Sequence, residues 1–262
     1  VLGQHRCREH PDREARLTPC ARCGDYRCDE CFEFDSDISL CASCVPVRVP
    51  WAKAQNASTL WQTFALVVTQ GPRFFSTAVG TGENQHSSSF AVYVAIAAAS
   101  PFIALFVLGT TALSARDGGA AGALGAACGG LVCSMPSIAL GQLLRGGLYG
   151  FIYDKAARLL GGSADSRSSF DASYLSMGLN PFYILAYVFL LIPLLGPFIT
   201  LAVFLVTMGW GVHLVAHHAH ARHELSWPRA YLAAASPILV LIVLYALIIA
   251  LAVFRAMERM RP

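Results

Sequence analysis

Polar and apolar positions divide this chain into unlike parts. From Val1 to Lys53 acids, arginines and prolines interrupt every apolar stretch, whereas from Ser88 onward apolar runs extend for whole helices. About 20 apolar residues are needed to cross the hydrocarbon of a bilayer. SSFAVYVAIAAASPFIALFVLGTTAL, residues 88–113, is the first such run. A second begins in the glycine-rich AAGALGAACGGLVCSMPSIAL and continues through LLRGGLYGFIY toward Leu160, where Gly161-Gly162 ends it. PFYILAYVFLLIPLL and FITLAVFLVTMGWGVHLVA follow, joined by a tight turn between Pro193 and Pro197; YLAAASPILVLIVLYALIIALAVF, residues 231–254, is the last. Residues 87–262 are therefore expected to form an all-α polytopic membrane bundle of five spans. Four is the alternative, with residues 142–160 lying in the interface.

Residues 47–86 read as a linker followed by an interfacial helix. VPVRVPWAKAQNA is proline-bearing, and Ser58 is placed to cap STLWQTFALVVTQ. Leu60, Trp61, Phe64, Ala65 and Val68 then share one helical face, and Gly71-Pro72 breaks the helix before Arg73-Phe74-Phe75. Tryptophan and phenylalanine on one side of a helix suit the bilayer interface.

Seven of the nine cysteines lie between Cys7 and Cys44, in residues 1–46. The spacing is Cys7-x2-His10, nine residues, Cys20-x2-Cys23, four residues, Cys28-x2-Cys31, nine residues, Cys41-x2-Cys44. Zinc takes four such ligands in a tetrahedron, and a two-residue gap lets one tight knuckle supply two of them. Eight ligands fill two closed sites and leave no coordination position for a water, so the expected ions are structural. Disulfides would leave one of seven cysteines over, and one Cys-x2-Cys would suffice for redox chemistry. The long–short–long spacing favours cross-bracing, with Cys7, His10, Cys28 and Cys31 on one ion and Cys20, Cys23, Cys41 and Cys44 on the other. Sequential pairing is the alternative. About 45 residues bury too little apolar surface to fold without such ions. His5 lies outside the spacing and reads as a surface residue.

Cys-x2-His-x9-Cys-x2-Cys-x4-Cys-x2-Cys resembles the opening of a B-box zinc finger. It departs where Cys41 and Cys44 close the module in place of histidines. That resemblance implies a module that contacts proteins. In the membrane part, WQTFALVVTQGPRFF before the first span is similar to the corresponding segment of the Yip (Ypt-interacting protein) family. So is ARLLGGSADSRSSFDASYLSMGLNPFYILAYVFLLIPLLGPF, with its Gly-Gly-ended helix, polar loop and Ile-Pro-Leu-Leu-Gly hairpin, and so are Trp210-Gly211 and Trp227 to Ala235 after it. The resemblance covers roughly residues 58–254 and implies five spans with a cytoplasmic N-terminus. In eukaryotes it implies contact with Rab-type GTPases.

Composition narrows the function. The chain is 55% hydrophobic and 13% charged, and seven thiolates with two divalent ions bring its formal +3 close to neutral. No basic surface for nucleic acid is expected. Seventeen arginines against two lysines suggest a bacterial, GC-rich source. No apolar run precedes Cys7, so no secretory signal is expected there. Zinc thiolates need a reducing compartment, which puts the N-terminal module in the cytoplasm, beneath an inner membrane. Arg48, Lys53, Arg73, Lys155, Arg158, Arg167, Arg222 and Arg229 agree with that orientation, whereas Arg255, Arg259 and Arg261 oppose it if there are five spans.

His213, His217 and His220 share a helical face continued by Glu224, and read either as lipid-interface residues or as a third metal or pH-sensing site. Gly118, Gly122, Gly125 and Gly129 offer close helix approach, by default within the bundle. Cys128 and Cys133 read as small packing residues. No phosphate loop, nucleophile–base pair or carboxylate pair is present. The expected protein is a non-enzymatic adapter in the lipid bilayer, whose zinc module recruits a protein partner, with a homo-oligomer allowed. A channel or transporter regulated by that module is the alternative.

Overall fold

The computed structural model describes residues 17–20, 26–28, 32–34, 39–41, 48–79, 86–189, 192 and 194–259. The chain divides into two units, Val1–Arg48 and Val49–Pro262.

In the first unit β1 (Leu17–Pro19) pairs antiparallel with β2 (Tyr26–Cys28), and β3 (Phe32–Phe34) with β4 (Ser39–Cys41). Each strand has only three residues. Two-stranded ribbons this short are marginal on their own.

The second unit is helical throughout its described part: α1 (Pro50–Lys53), α2 (Ala57–Thr69), α3 (Gly71–Thr77), α4 (Ser87–Leu159), α5 (Ser166–Ser176), α6 (Asn180–Val188), α7 (Gly196–Arg222) and α8 (Trp227–Arg259). A short 3-10 turn, Met177–Leu179, links α5 to α6. Three stretches are long and apolar enough to cross a membrane: Ser87–Gly109, Gly196–Arg222 and Trp227–Met257. On the outer half of α8 Leu241, Ile242, Val243, Leu244, Tyr245 and Ile248 are all exposed, as a lipid-facing helix requires.

α4 is not one rod. Straight, its 73 residues would extend about 110 Å. Yet Ser87 at its start donates to Asp171, and Asp154 near its end accepts from Ser169, both on α5. The helix therefore turns back on itself. Its one non-helical residue is Gly119, at φ 70° and ψ −168°, close to the midpoint between Ser87 and Asp154 and in a region open to glycine alone. The second arm ends as the sequence leads one to expect. Gly161 takes φ 99°, its N–H bonds Arg158 O at 3.0 Å, and Gly162 N–H bonds Ala157 O at 2.9 Å. Those two bonds form a Schellman cap.

Other expectations are corrected. Asn56, not Ser58, caps α2: its side chain accepts from Thr59 N–H at 3.0 Å while Thr59 Oγ1 accepts from Asn56 N–H at 3.2 Å. α2 turns Thr63 and Val67 inward and leaves Trp61 67% exposed, which is compatible with the expected interfacial face. Phe74 and Phe75 are core residues of α3. Trp51 belongs to the helical unit: it is buried, its N–H donates to Thr63 and its indole N–H to Ser89 and the His86 carbonyl. Close helix approach is seen at glycines further along α4 than the expected set, of which only Gly125 has described surroundings. Gly146 lies beneath the Tyr174 ring and Gly150 against Phe170, which seats α5 on the second arm of α4, whereas a side chain at Gly125 would meet nothing. The side chains of Cys128 and Cys133 lie outside the described residues.

α6 has nine residues, too few to cross alone. The expected turn follows it: Gly196 N–H bonds Ile192 O at 2.9 Å, and Leu194 takes φ 65°. Thr200 then donates back to Ala186 O, so α7 runs antiparallel to α6.

Candidate functional site

Two groups of side chains carry chemistry: the cysteine module, and a buried polar layer where the ends of α4, α5 and α7 meet.

Of the eight expected metal ligands, Cys7, His10, Cys23, Cys31 and Cys44 lie outside the described residues, as does His5. Cys41 ends β4, opposite Phe32. Cys20 and Cys28 are both buried. β1 and β2 pair Leu17 with Cys28 and Pro19 with Tyr26, so Cys20, just past β1, and Cys28 stand at opposite ends of the ladder. Three residues at about 3.3 Å each separate them by roughly 10 Å along the strands. Two sulfurs on one zinc, each ~2.3 Å from it, are less than half that far apart. Cys20 and Cys28 therefore suit different ions. That holds for the cross-braced and the sequential pairing alike, and it rules against the pairing that would join Cys20-x2-Cys23 to Cys28-x2-Cys31. Cysteine sulfurs on short, poorly cored ribbons are the donor set and the fold that a structural zinc ion serves.

The polar layer begins with Asp154, which is buried. It accepts from Arg158 Nε at 3.0 Å, from Ser166 Oγ at 3.2 Å and from Ser169 Oγ at 3.2 Å. Since Ser169 gives its only proton to this carboxylate, its oxygen accepts from His223 Nε2–H, 3.0 Å away. His223 is thus the Nε2–H tautomer. Its Nδ1 has no hydrogen-bond partner and lies against Gly162, where any Cβ would come within 2.8 Å of it. Burial pushes the His223 pKa down, Asp154 opposes that shift and Arg158 adds to it.

Beside it His218 is fully enclosed, with Tyr153 Oη at 2.9 Å from Nδ1 and Ser168 Oγ at 2.6 Å from Nε2. Either neutral tautomer is satisfied there, since each hydroxyl can donate or accept. Asp171, on the same helix as Ser168, is held against Ser87. The order carboxylate–serine–imidazole is not that of a nucleophile triad, in which the imidazole stands between the other two. Ser169 is fully buried and its proton is held by Asp154, so it is not activated. What the layer does is join three helices through buried hydrogen bonds.

Sequence reasoning singled out His213, His217 and His220 and passed over His218 and His223. The three do form a row, but Glu224 does not continue it: the residue sits past the end of α7 at φ 57°. The rings pack on the start of α8. Trp227 stacks on His220 at 4.3 Å and meets His217 edge-on at 4.8 Å, and His213 Nδ1 is 2.6 Å from Tyr231 Oη. His220 Nδ1–H donates to Leu225 O at 2.7 Å. These contacts build the α7–α8 corner. Among the described residues no three histidines, cysteines or carboxylates converge as a metal site. His218 and His223 could have been suspected only from their partners Ser168 and Ser169, which stand 50 and 54 positions away.

No family model, curated protein or solved structure matches this chain, so the B-box and Yip resemblances rest on the sequence patterns alone.

Proposed function

We propose that the protein is a non-enzymatic membrane adapter: a two-zinc N-terminal module that contacts a protein partner, carried by a five-pass helical bundle in a bacterial inner membrane. Cys7, His10, Cys20, Cys23, Cys28, Cys31, Cys41 and Cys44 hold the ions. Zinc bound there supplies cross-links in place of an apolar core. The observation that carries this reading is the placement of buried Cys20 and Cys28 at opposite ends of one ribbon, which suits two separate closed sites.

The contacts of the helical unit support five passes. The two arms of α4 give two, α7 and α8 two more. The run from α5 through the 3-10 turn to α6 gives the third in chain order, because it pairs antiparallel with the second arm: Ser169 with Asp154, Ser173 with Gly146, Asn180 with Gln142. Its polar first half is tolerated because it is buried in protein and bonded there. The N-terminal module and the α7–α8 corner then face the cytoplasm with Arg158, Arg167, Arg222 and Arg229.

Deleting residues 1–48 tests the adapter role. This boundary spares Trp51, whose bonds to Thr63 and Ser89 belong to the bundle. The truncated protein is expected to insert normally and to lose the proteins that co-purify with the full chain in mild detergent. Unchanged recovery of those proteins would refute the role.

A further inference from the structure

We infer that the cavity beneath the polar layer binds a long-chain carboxylate, the headgroup paired with Arg145 and the chain lying among side chains of α7 and α8. This rests on the membrane half of the reading above and not on the zinc half.

The cavity has a volume of about 430 Å³ and is walled largely by apolar side chains, Phe204, Met208, Val212, Ile238 and Leu241 among them. That volume falls within the ~300–1,000 Å³ of small-molecule sites. Gly211 leaves its wall of α7 bare. Arg145 is the one charged residue of the lining. Its Nη1 is 3.5 Å from Asn180 Oδ1, at the limit of a hydrogen bond, and its guanidinium lies 5.6 Å from the centre of the Tyr183 ring. Asn180 spends its own amide protons on Gln142, at 2.9 Å. No carboxylate among the described residues pairs with Arg145, whereas Arg158, at the polar layer, has Asp154.

Depth sharpens the point. Arg145 precedes Asp154 by nine residues on one helix, roughly 14 Å along its axis, and Met208 precedes His218 by ten, roughly 15 Å. The cavity therefore lies about half of a ~30 Å hydrocarbon layer below the polar contacts. A guanidinium at such depth is costly without an anion, and ionisable residues there mark ligand or ion paths. Its planar fork fits a carboxylate through two parallel bonds. The walls call for an alkyl chain, and Leu241, at once a wall residue and 56% exposed on the lipid-facing side of α8, marks lateral entry from the bilayer. Acidic phospholipids share this chemistry, but their headgroups are held at the surface. A single-chain carboxylate can sink to the level of Arg145.

The test uses the full chain in phosphatidylcholine nanodiscs, photolabelled with a palmitate analogue bearing a terminal diazirine. Labelling is expected on the α7 and α8 peptides that wall the cavity, with palmitate competing. Methyl palmitate, which lacks the charge, and acetate, which lacks the chain, should compete at least about tenfold less well. Arg145→Gln should weaken palmitate competition at least about tenfold. Gly211→Phe should abolish labelling with Arg145 intact, since a Cβ there meets nothing nearer than Leu179 Cδ1 at 3.6 Å and the ring can fill the cavity. Equal competition by methyl palmitate, or unchanged affinity in Arg145→Gln, would overturn the proposal. Phosphatidylglycerol nanodiscs that block labelling would assign the site to a phospholipid and overturn the free carboxylate. Loss of the protein from carbonate-washed membranes would overturn the membrane reading with it; retention without labelling would overturn the proposal alone.

Discussion

Gly150 and Gly147 are three residues apart on the second arm of α4, and alanine should act on them unequally. At Gly150 a Cβ would lie 2.8 Å from Phe170 Cδ1 and 3.2 Å from the Phe170 Cα. A ring can swing aside, but the backbone of α5 cannot move without carrying Ser168 and Ser169 away from His218 and His223. At Gly147 the nearest atom is the Tyr174 hydroxyl at 3.5 Å, an ordinary contact. Both substitutions gain about 1 kcal/mol of helix propensity. Only Gly150→Ala adds overpacking, worth about 1–3 kcal/mol. Gly147→Ala should therefore be more stable than the parent, and Gly150→Ala less stable than Gly147→Ala by about 1–3 kcal/mol. Unfolding in mixed micelles of rising SDS fraction measures both. If Gly150→Ala proves as stable as Gly147→Ala, α5 does not sit on this arm as described, and the antiparallel pairing behind the five passes falls with it.

Other expectations follow from single side chains. Asn56→Ala removes the side-chain acceptor of the α2 capping box, leaving the backbone N–H bond to Thr59, and should cost about 1 kcal/mol in the same titration. Glu224→Gly relieves a left-handed backbone and should stabilise by up to about 1 kcal/mol, with Glu224→Ala giving no such gain. The lowered pKa of His223 means the unfolded chain takes up its proton first as pH falls below the ordinary histidine value of about 6.5, so that part of the stability is present above that value and lost below it. His223→Gln should flatten this dependence; an unchanged pH profile would contradict burial of a neutral imidazole.

What was readable in the sequence follows the range of the interactions. Gly161-Gly162 and the turn after Ile192 are local features, and glycine or proline announces them within a few residues. The apolar runs of α7 and α8 announce themselves by length. Of the run from α5 to α6 only the apolar second half announces itself, because a 3-10 turn separates it from SRSSFDASYLS, which is polar. Those serines are buried by helices far along the chain, and periodicity carries no record of such partners. The same reason hid His218 and His223: helical spacing marks the three corner rings on one face, but not the pair that the serines enclose. Asn56 and Ser58 both suit a helix cap, and the reciprocal bond with Thr59 settles the choice. Arg145 looked like one basic residue in a glycine-rich stretch, and its place at the edge of a largely apolar cavity, exposed beside Asn180 and Tyr183, is a property of the assembled helices.

Elemental analysis of the intact, purified chain, paired with thiol counting, bears most directly on the zinc module. The account predicts two zinc ions per chain, with the seven cysteines between Cys7 and Cys44 shielded from alkylation until a strong chelator is added. A preparation without zinc, or one in which those sulfurs are joined as disulfides, would contradict it.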